Sequence, residues 1–563
     1  MIAVRKENFV TAPFLAGALL LLCALTFYYF AIIRIDYFKT TLLDPAPIDS
    51  VEYFAQAKAL LKDGSPSIRI GYDKLPSRYP VGYPALMLPW LKVLPEATSI
   101  LAPFRTNQSL GLLLLLAVFG FYTYLAKPLT GGFAALLLAT LPGFFTFCRS
   151  SMSEISAAAL FVLAFMFAYL GLEEQRRWKI YLSAIFLGLS LNIRAQSLFF
   201  APLLLAMALF PAKGARLRWV FHCVAVAIVF ALAASPALVL NTIQFHSPFK
   251  TGYDFWLPAK LIQKHVVFSP FYIPINAAIL FMEFILHPQG YHVANIFGTG
   301  TSFVPPFILL ICIGLFFVRL SRFVICGFLA GLSFLAVTMS YTYRLADVRF
   351  YLPLLILLVA VAVLPVMWAA KNLVAGKRIL SALAIFVLFA AACLGFPSRS
   401  GYNTRQINRS QAWDALHFTI PPLQSMKFLA QKRFLEIVGD QPGIVLSDIN
   451  PVYLSALLPD AFVAAPIDGK HNYRFSTIWH YDQPEAFALV KRGLDQSLPV
   501  YALFVSREEM MAQQSRLPVV PGYQWTIIDN LDPNAVILKL ALTVTEERAC
   551  YQPSAIRVSF PKH

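Results

Sequence analysis

Charge is scarce in this chain. Of 563 residues only 13% are charged, 58% are hydrophobic, and the mean hydropathy is +0.65. Soluble domains run about 25% charged and roughly 45–50% apolar, so the composition excludes an ordinary soluble domain and indicates a polytopic membrane protein. Cysteine is sparse and scattered. Cys23, Cys148, Cys223, Cys312, Cys326 and Cys393 lie in or beside apolar runs, Cys550 stands alone, and no spacing marks a disulfide framework or a zinc site. Internal repeats and low-complexity stretches are absent. The first apolar run, residues 11–33, lacks a small-residue cleavage site and exceeds the ~7–15 residues of a signal-peptide core, which predicts an uncleaved anchor.

The few charges are unevenly placed. Lysine and arginine outnumber aspartate and glutamate by 46 to 29, for a net charge of +17. The excess sits in short connections between apolar runs (173–179, 212–218, 319–322 and 371–378). That is the positive-inside pattern of cytoplasmic loops, not a nucleic-acid surface. Apolar runs of roughly 18–22 residues number about eleven: 11–33, 108–126, 131–148, 154–172, 180–194, 196–211, 219–240, 302–318, 322–341, 350–369 and 378–396. With a cytoplasmic N-terminus, an odd count sends the C-terminus outside and puts all four basic loops inside. Two long external loops result, 34–107 and 241–301. The apolar run at 268–287 reads as re-entrant or interfacial. The expected fold class is mainly α, with residues 1–396 as a transmembrane catalytic domain. From residue 397 the composition turns polar, and strand-length runs (443–448, 461–467, 500–506, 525–529, 535–542) alternate with helical ones, which predicts an α/β domain over 397–563.

The rare acids invite a functional explanation, because charge at a membrane face is costly to hold. Asp49 and Glu52 are spaced to share one helix face beyond the first run. A capping-box arrangement with Gly64 closing the helix explains them equally well. Glu154 heads a span, where an acid also satisfies a helix N-terminus. Arg194, Arg344 and Arg349, with Asp347, fall at external span ends; each arginine alone reads as snorkelling. Together the two signs suit an anionic phosphate and a general base. The stretch 78–90 (RYPVGYPALMLPW) reads as a proline-shaped loop in the interface, anchored by Tyr79, Tyr83 and Trp90. His246, His265, His287 and His292 are irregularly spaced and give no metal motif.

In order along the chain, these segments resemble the GT-C superfamily of membrane glycosyltransferases, in particular bacterial members related to protein O-mannosyltransferases and lipid A aminoarabinose transferases. After one span the family carries an acidic pair before Tyr-x-x-x-Ala; here Asp49-Ser50-Val51-Glu52-Tyr53 leads to Ala57. Tyr79-Pro80-Val81-Gly82-Tyr83-Pro84 is similar to the family's Tyr-Pro-Pro-Gly-Tyr-Pro. Ser153-Glu154 is similar to its span-heading Ser-Glu, and Ile193-Arg194-Ala195 to its Thr-Arg-Pro. Asn241, Ser247-Pro248 and Thr251-Gly252-Tyr253 follow its Asn…Phe-Gly-Ser-Pro…Thr-Gly-Tyr segment, and Arg349-Phe350-Tyr351-Leu352-Pro353 its Arg-Tyr-Leu-x-Pro. Ser50 stands in the second acid's place, His246 where glycine is usual, and Ala195 in place of proline.

The resemblance implies transfer of a sugar from a polyprenyl-phosphate donor to a membrane-associated acceptor (lipid, polysaccharide or protein) on the periplasmic face of a bacterial inner membrane, with inversion. It implies Asp49, Glu52 and Glu154 as catalytic residues and Arg194, Arg349, Tyr79, Tyr83 and Tyr253 as substrate-binding ones. No cofactor is implied with certainty, and a divalent metal stays open. The partners are the donor, the acceptor and the bilayer, not nucleic acid. The rival expectation is a transporter or lipid-linked sugar flippase, which commonly shows paired half-repeats.

Overall fold

Proline decides where many of the apolar segments stop. The computed structural model describes residues 12–34, 48–208, 216–252, 268–281, 305–319, 321–341, 350–373, 377, 380, 426–449, 451–467, 483–530 and 535–543. The chain divides into a unit formed by Met1–Ile68, Lys74–Ser425 and Phe475–Ile478 and a second formed by Arg69–Asp73, Met426–Arg474 and Trp479–His563.

The first unit is helical. Helix α1 (Ala12–Tyr28) runs into a π turn, Tyr29–Ile33. After it come α2 (Ile48–Asp63), the hairpin of β1 (Ser67–Ile70) and β2 (Asp73–Pro76), and α3 (Gly82–Val93). Then follow α4 (Ala102–Leu125), α5 (Pro128–Thr140), α6 (Pro142–Cys148), α7 (Glu154–Glu173), α8 (Arg177–Ile193), α9 (Leu203–Ala208) and α10 (Arg216–Phe245). Helices Tyr272–Phe281, Pro305–Leu315, Arg322–Met339 and Leu352–Asn372 complete the described part.

Six of these segments are long and apolar enough to cross a membrane: Phe14–Ile33, Thr98–Leu125, Glu154–Glu173, Leu217–Phe245, Arg322–Met339 and Leu352–Asn372. The expected eleven are therefore not reached among the described residues, for local reasons. The run 131–148 divides into α5 and α6, because Pro142 cannot donate to a continuing helix. The run 196–211 starts as a 3-10 turn and becomes helical only after Pro202, as the six-residue α9. The run 378–396 lies outside the described residues. At 268–287 the described helix covers Tyr272–Phe281, and residues 282–287 lie outside the described residues.

The centre of this unit is α5, whose residues Leu129 to Ala139 are all buried. Gly17 and Gly132 let α1 and α5 approach backbone to backbone, since a Cβ on Gly17 would run into Pro128 and one on Gly132 into the Gly17 carbonyl. Close approach at small residues is how helices gain contact where lipid removes the hydrophobic drive.

The second unit carries a five-stranded sheet in the order β4-β3-β5-β7-β6. Its strands are β3 (Gly443–Ser447), β4 (Phe462–Pro466), β5 (Val500–Phe504), β6 (Tyr523–Asp529) and β7 (Val536–Leu542). All five fall on the strand-length runs expected from sequence. Strands β4, β3 and β5 are parallel, whereas β7 and β6 are antiparallel additions. β3 and β5 are buried along their whole length, as continuous apolar runs in parallel sheets are. The expected boundary near residue 397 lies outside the described residues.

Just past the end of β3, burial pushes the Asp448 carboxyl up to about 6 from 3.8, with Glu509 adding to the effect and a backbone bond from Val505 opposing it. A carboxyl raised on folding supports the fold only while protonated, so its contribution is lost as pH rises from about 4 through about 6. Asp448→Asn keeps an acceptor for Val505 but cannot ionise. It is expected to match wild type near pH 4 and to exceed it by about 1–2 kcal/mol near pH 7.5. Amide exchange in β3 and β5 of the full-length protein, corrected for intrinsic rates, reads the difference; an equal gain at both pH values would exclude this origin.

Candidate functional site

The hairpin returns the chain to the first turn of α2, and there the two acids part company. Glu52 is fully buried. Its Oε1 accepts from the Ser77 hydroxyl at 2.9 Å and the Arg78 backbone N–H at 2.7 Å. Its Oε2 accepts from Arg78 Nε at 2.7 Å and lies 2.5 Å from Nη2. Asp49, one turn earlier, is 22% exposed, with Oδ1 3.8 Å from the same Nη2. Burial alone would lower the pKa of Arg78; Glu52, with Tyr79 and Asp49, outweighs it and raises the pKa above the ordinary value. The helix begins at Ile48 and Glu52 is spent on Arg78, so the capping-box expectation is not met. Gly64 does end the helix, with φ +66°.

A second pair forms where α7 begins. Arg194, at the end of α8, brings Nη1 to 2.5 Å from Glu154 Oε1, while Glu154 Oε2 has no hydrogen-bond partner among the described residues. Glu154 is 2% exposed. The two pairs are joined by Tyr53 of α2, whose hydroxyl lies 3.0 Å from Ser153 Oγ. Ser153 would otherwise cap α7, and its side chain makes no such bond. The turn before α7 is held instead by Asn107 of α4, which donates to the Ser150 and Met152 carbonyls at 2.8 and 2.6 Å and accepts from Ser156 Oγ at 2.9 Å.

The remaining motifs close on these pairs through glycine. A Cβ on Gly82 would strike the Asn192 carbonyl, so α3 starts directly against the end of α8. A Cβ on Gly252 would strike the Arg78 Cα and the Ser77 carbonyl. Phe350 lies under Arg194, its ring centre 5.9 Å from the guanidinium carbon. His246 follows α10 with φ +56°, a left-handed region that costs a residue with a Cβ about 1–2 kcal/mol.

Of the sequence-expected residues, Asp49, Glu52, Glu154 and Arg194 thus belong to one constellation. Arg349 and Tyr253, with Arg344, Asp347, His265, His287 and His292, lie outside the described residues. Three of the expected residues are buried among protein partners. Glu52, expected as a catalytic residue, accepts from Ser77 and makes three contacts with Arg78. Tyr79 and Tyr83, expected to bind substrate, are buried against Tyr53 with ring centres 4.6 and 5.1 Å away. The Tyr83 hydroxyl donates to the Pro103 carbonyl at 3.2 Å, and burial, with Glu154 nearby, raises its pKa well above the usual value. Arg78 was missed. Its signal was its position directly before Tyr79-Pro80 in a loop otherwise anchored by aromatics.

Among the described residues the carboxylates of the site form no metal centre. The carboxylates that meet here each face a guanidinium, and among the described residues no group of three or more His, Cys, Asp or Glu side chains could hold an ion.

No family model and no curated relative matches the sequence. Solved structures do match. ArnT from Cupriavidus metallidurans, bound to undecaprenyl phosphate, aligns over 93% of this chain and 97% of its own, with a TM-score of 0.56 at 11% identity. The apo oligosaccharyltransferase from Archaeoglobus fulgidus aligns over 95% of this chain and 77% of its own, with a TM-score of 0.53 at 13% identity. The chain shares its fold with both.

Arg78→Met strands Glu52 as a buried, unpaired charge and is expected to cost about 3–5 kcal/mol of stability. The double variant Glu52→Leu/Arg78→Met removes both charges and should recover most of that loss. Thermal unfolding in detergent compares them, and a single variant as stable as the double would show that the ion pair is not what holds the hairpin to α2.

Proposed function

We propose that the chain is a glycosyltransferase that moves a sugar from a polyprenyl-phosphate donor to a membrane-associated acceptor on the periplasmic side of a bacterial inner membrane. The observation that carries the reading is the meeting of two carboxylate–guanidinium pairs, Asp49 with Arg78 and Glu154 with Arg194, built from four separate segments at helix ends. Support comes also from the fold shared with ArnT, solved with undecaprenyl phosphate bound.

Asp49 is the partly exposed carboxylate of the first pair, and it takes the role of general base. It removes the proton from an acceptor hydroxyl, whose oxygen attacks the anomeric carbon. The bond from that carbon to the phosphate oxygen breaks, the electron pair leaves with the polyprenyl phosphate, and the configuration inverts. The leaving group is already a phosphate, so no strong general acid is needed. Arg194, with Arg349, meets the charge that develops on it; one such preorganised donor contributes about 10²–10³ in kcat. Glu154 Oε2 accepts a hydroxyl of the sugar or acceptor. Glu52 and Arg78 hold Asp49 in place, and Tyr79 and Tyr83 shape the wall behind it. The α/β domain helps select the acceptor.

A flippase would share the spans and the buried charge but form no new bond. Purified protein incubated with a radiolabelled polyprenyl-phosphate sugar and membrane lipid separates the two: label joined to a new acceptor supports the enzyme, while movement across vesicles without a new bond supports the flippase. Asp49→Asn is expected to lower transfer about 10²–10⁴-fold with unchanged protein in the membrane. Full activity in that variant would remove Asp49 from the base role.

A further inference from the structure

Helix α10 contains a proline, and a side chain from another helix completes it. Pro236 has no N–H, so the Leu232 carbonyl loses its usual partner; the Ser235 hydroxyl donates to it at 2.9 Å instead. One residue further on, the Ala237 N–H would normally donate to the Ala233 carbonyl. Here the amide of Asn192 stands between them. Ala237 N–H donates to Asn192 Oδ1 at 2.8 Å, and Asn192 Nδ2 donates to the Ala233 carbonyl at 2.7 Å. The second N–H of the amide reaches the Gly188 carbonyl of its own helix at 3.2 Å. Each of these groups therefore has a partner, as a segment apolar enough to cross a membrane requires.

The neighbours are built for this insertion. Gly188 lies one turn before Asn192 on the same face of α8. A Cβ there would come within 2.7 Å of both Ala233 Cβ and the Phe230 carbonyl, so the glycine admits the backbone of α10 that Asn192 then joins. Asn192 is 5% exposed. It precedes Arg194 by two residues, and its carbonyl is the surface on which Gly82 rests.

We propose that Asn192 is a positioning residue: by entering the proline break of α10, its amide fixes the end of α8 and so sets where Arg194 stands against Glu154. A merely structural amide would also complete the helix, and the two roles separate in a double variant. In Asn192→Ala/Pro236→Ala the new N–H at 236 and the freed Ala237 N–H can both return to the α10 ladder, so the helix closes without Asn192.

The inference rests on the transferase reading above, and its tests fail differently. Asn192→Ala alone is expected to lower both the thermal stability and kcat. The double variant should regain stability while kcat and kcat/KM both stay at least tenfold below wild type. A double variant that regains turnover along with stability overturns the proposal. A second cycle keeps the acceptor: Asn192→Asp still accepts from Ala237, loses the donors to Gly188 and Ala233 and, when ionised, adds a charge against their carbonyls. It should lower kcat in the wild-type background and cost nothing further in an Arg194→Ala background; equal losses in both backgrounds overturn action through Arg194. Wild-type protein that transfers no sugar overturns the reading, not this inference. Thermal stabilisation by undecaprenyl phosphate, which needs no turnover, then decides. Wild type should be stabilised and Asn192→Asp much less so, whereas equal shifts would overturn the positioning role.

Discussion

A buried carboxylate is tolerable only when its charge is answered, and in this chain Arg78 answers Glu52. The contact fastens three things at once. It pins the returning hairpin to α2, it fills the Glu52 oxygens from one direction, and it leaves the guanidinium edge 3.8 Å from Asp49. The rest of the first site follows. Tyr79, next in the chain, comes down on Tyr53, and the Tyr53 hydroxyl then reaches Ser153 at the head of α7. Gly252 can lie across Arg78 only because it carries no Cβ, which would run into the Arg78 Cα.

This arrangement divides labour between two acids that the sequence presents as equals. Glu52 is walled in and holds its partner; Asp49 shares that partner but keeps an exposed edge. Glu154 shows a similar economy at the second pair, with one oxygen against Arg194 and the other without a hydrogen bond among the described residues. In each pair charge is balanced without being exhausted. The proposed transfer, which handles both a proton and a phosphate, needs that state, since an unpaired buried ion would be too costly and a saturated one inert.

Much of this was legible in the sequence, for identifiable reasons. The five strands of the second unit stand out because buried parallel strands are short continuous apolar runs. Asp49, Glu154 and Arg194 stand out because charge is rare in so apolar a chain. What could not be read is pairing. Arg78 follows no periodicity, and an arginine near a membrane reads as snorkelling until its partner is seen. Tyr79 and Tyr83 pack against Tyr53, and an aromatic that packs and one that binds look alike in sequence. Asn107 lies in the polar run Arg105–Ser109 near the start of α4 and Asn192 near the end of α8, where composition cannot say whether the amide meets a hydroxyl, a carbonyl or a ligand. Among the described residues, Pro142 and Pro202 interrupt apolar runs that hydropathy alone joins.

The same constraint explains why the constellation sits at helix ends. Inside an apolar segment the backbone satisfies itself and offers nothing to a ligand; at the ends its groups are unpaired and must be met by side chains. Here Asn107 meets the turn before α7 and Asn192 meets the break in α10, so the residues that satisfy the backbone also determine where Glu154 and Arg194 begin. Proline creates the unpaired groups, glycine lets the neighbouring helix come close, and an asparagine amide, with donor and acceptor side by side, bridges what remains. Stability and site geometry are therefore coupled in this chain through a few amides rather than through its large apolar surface.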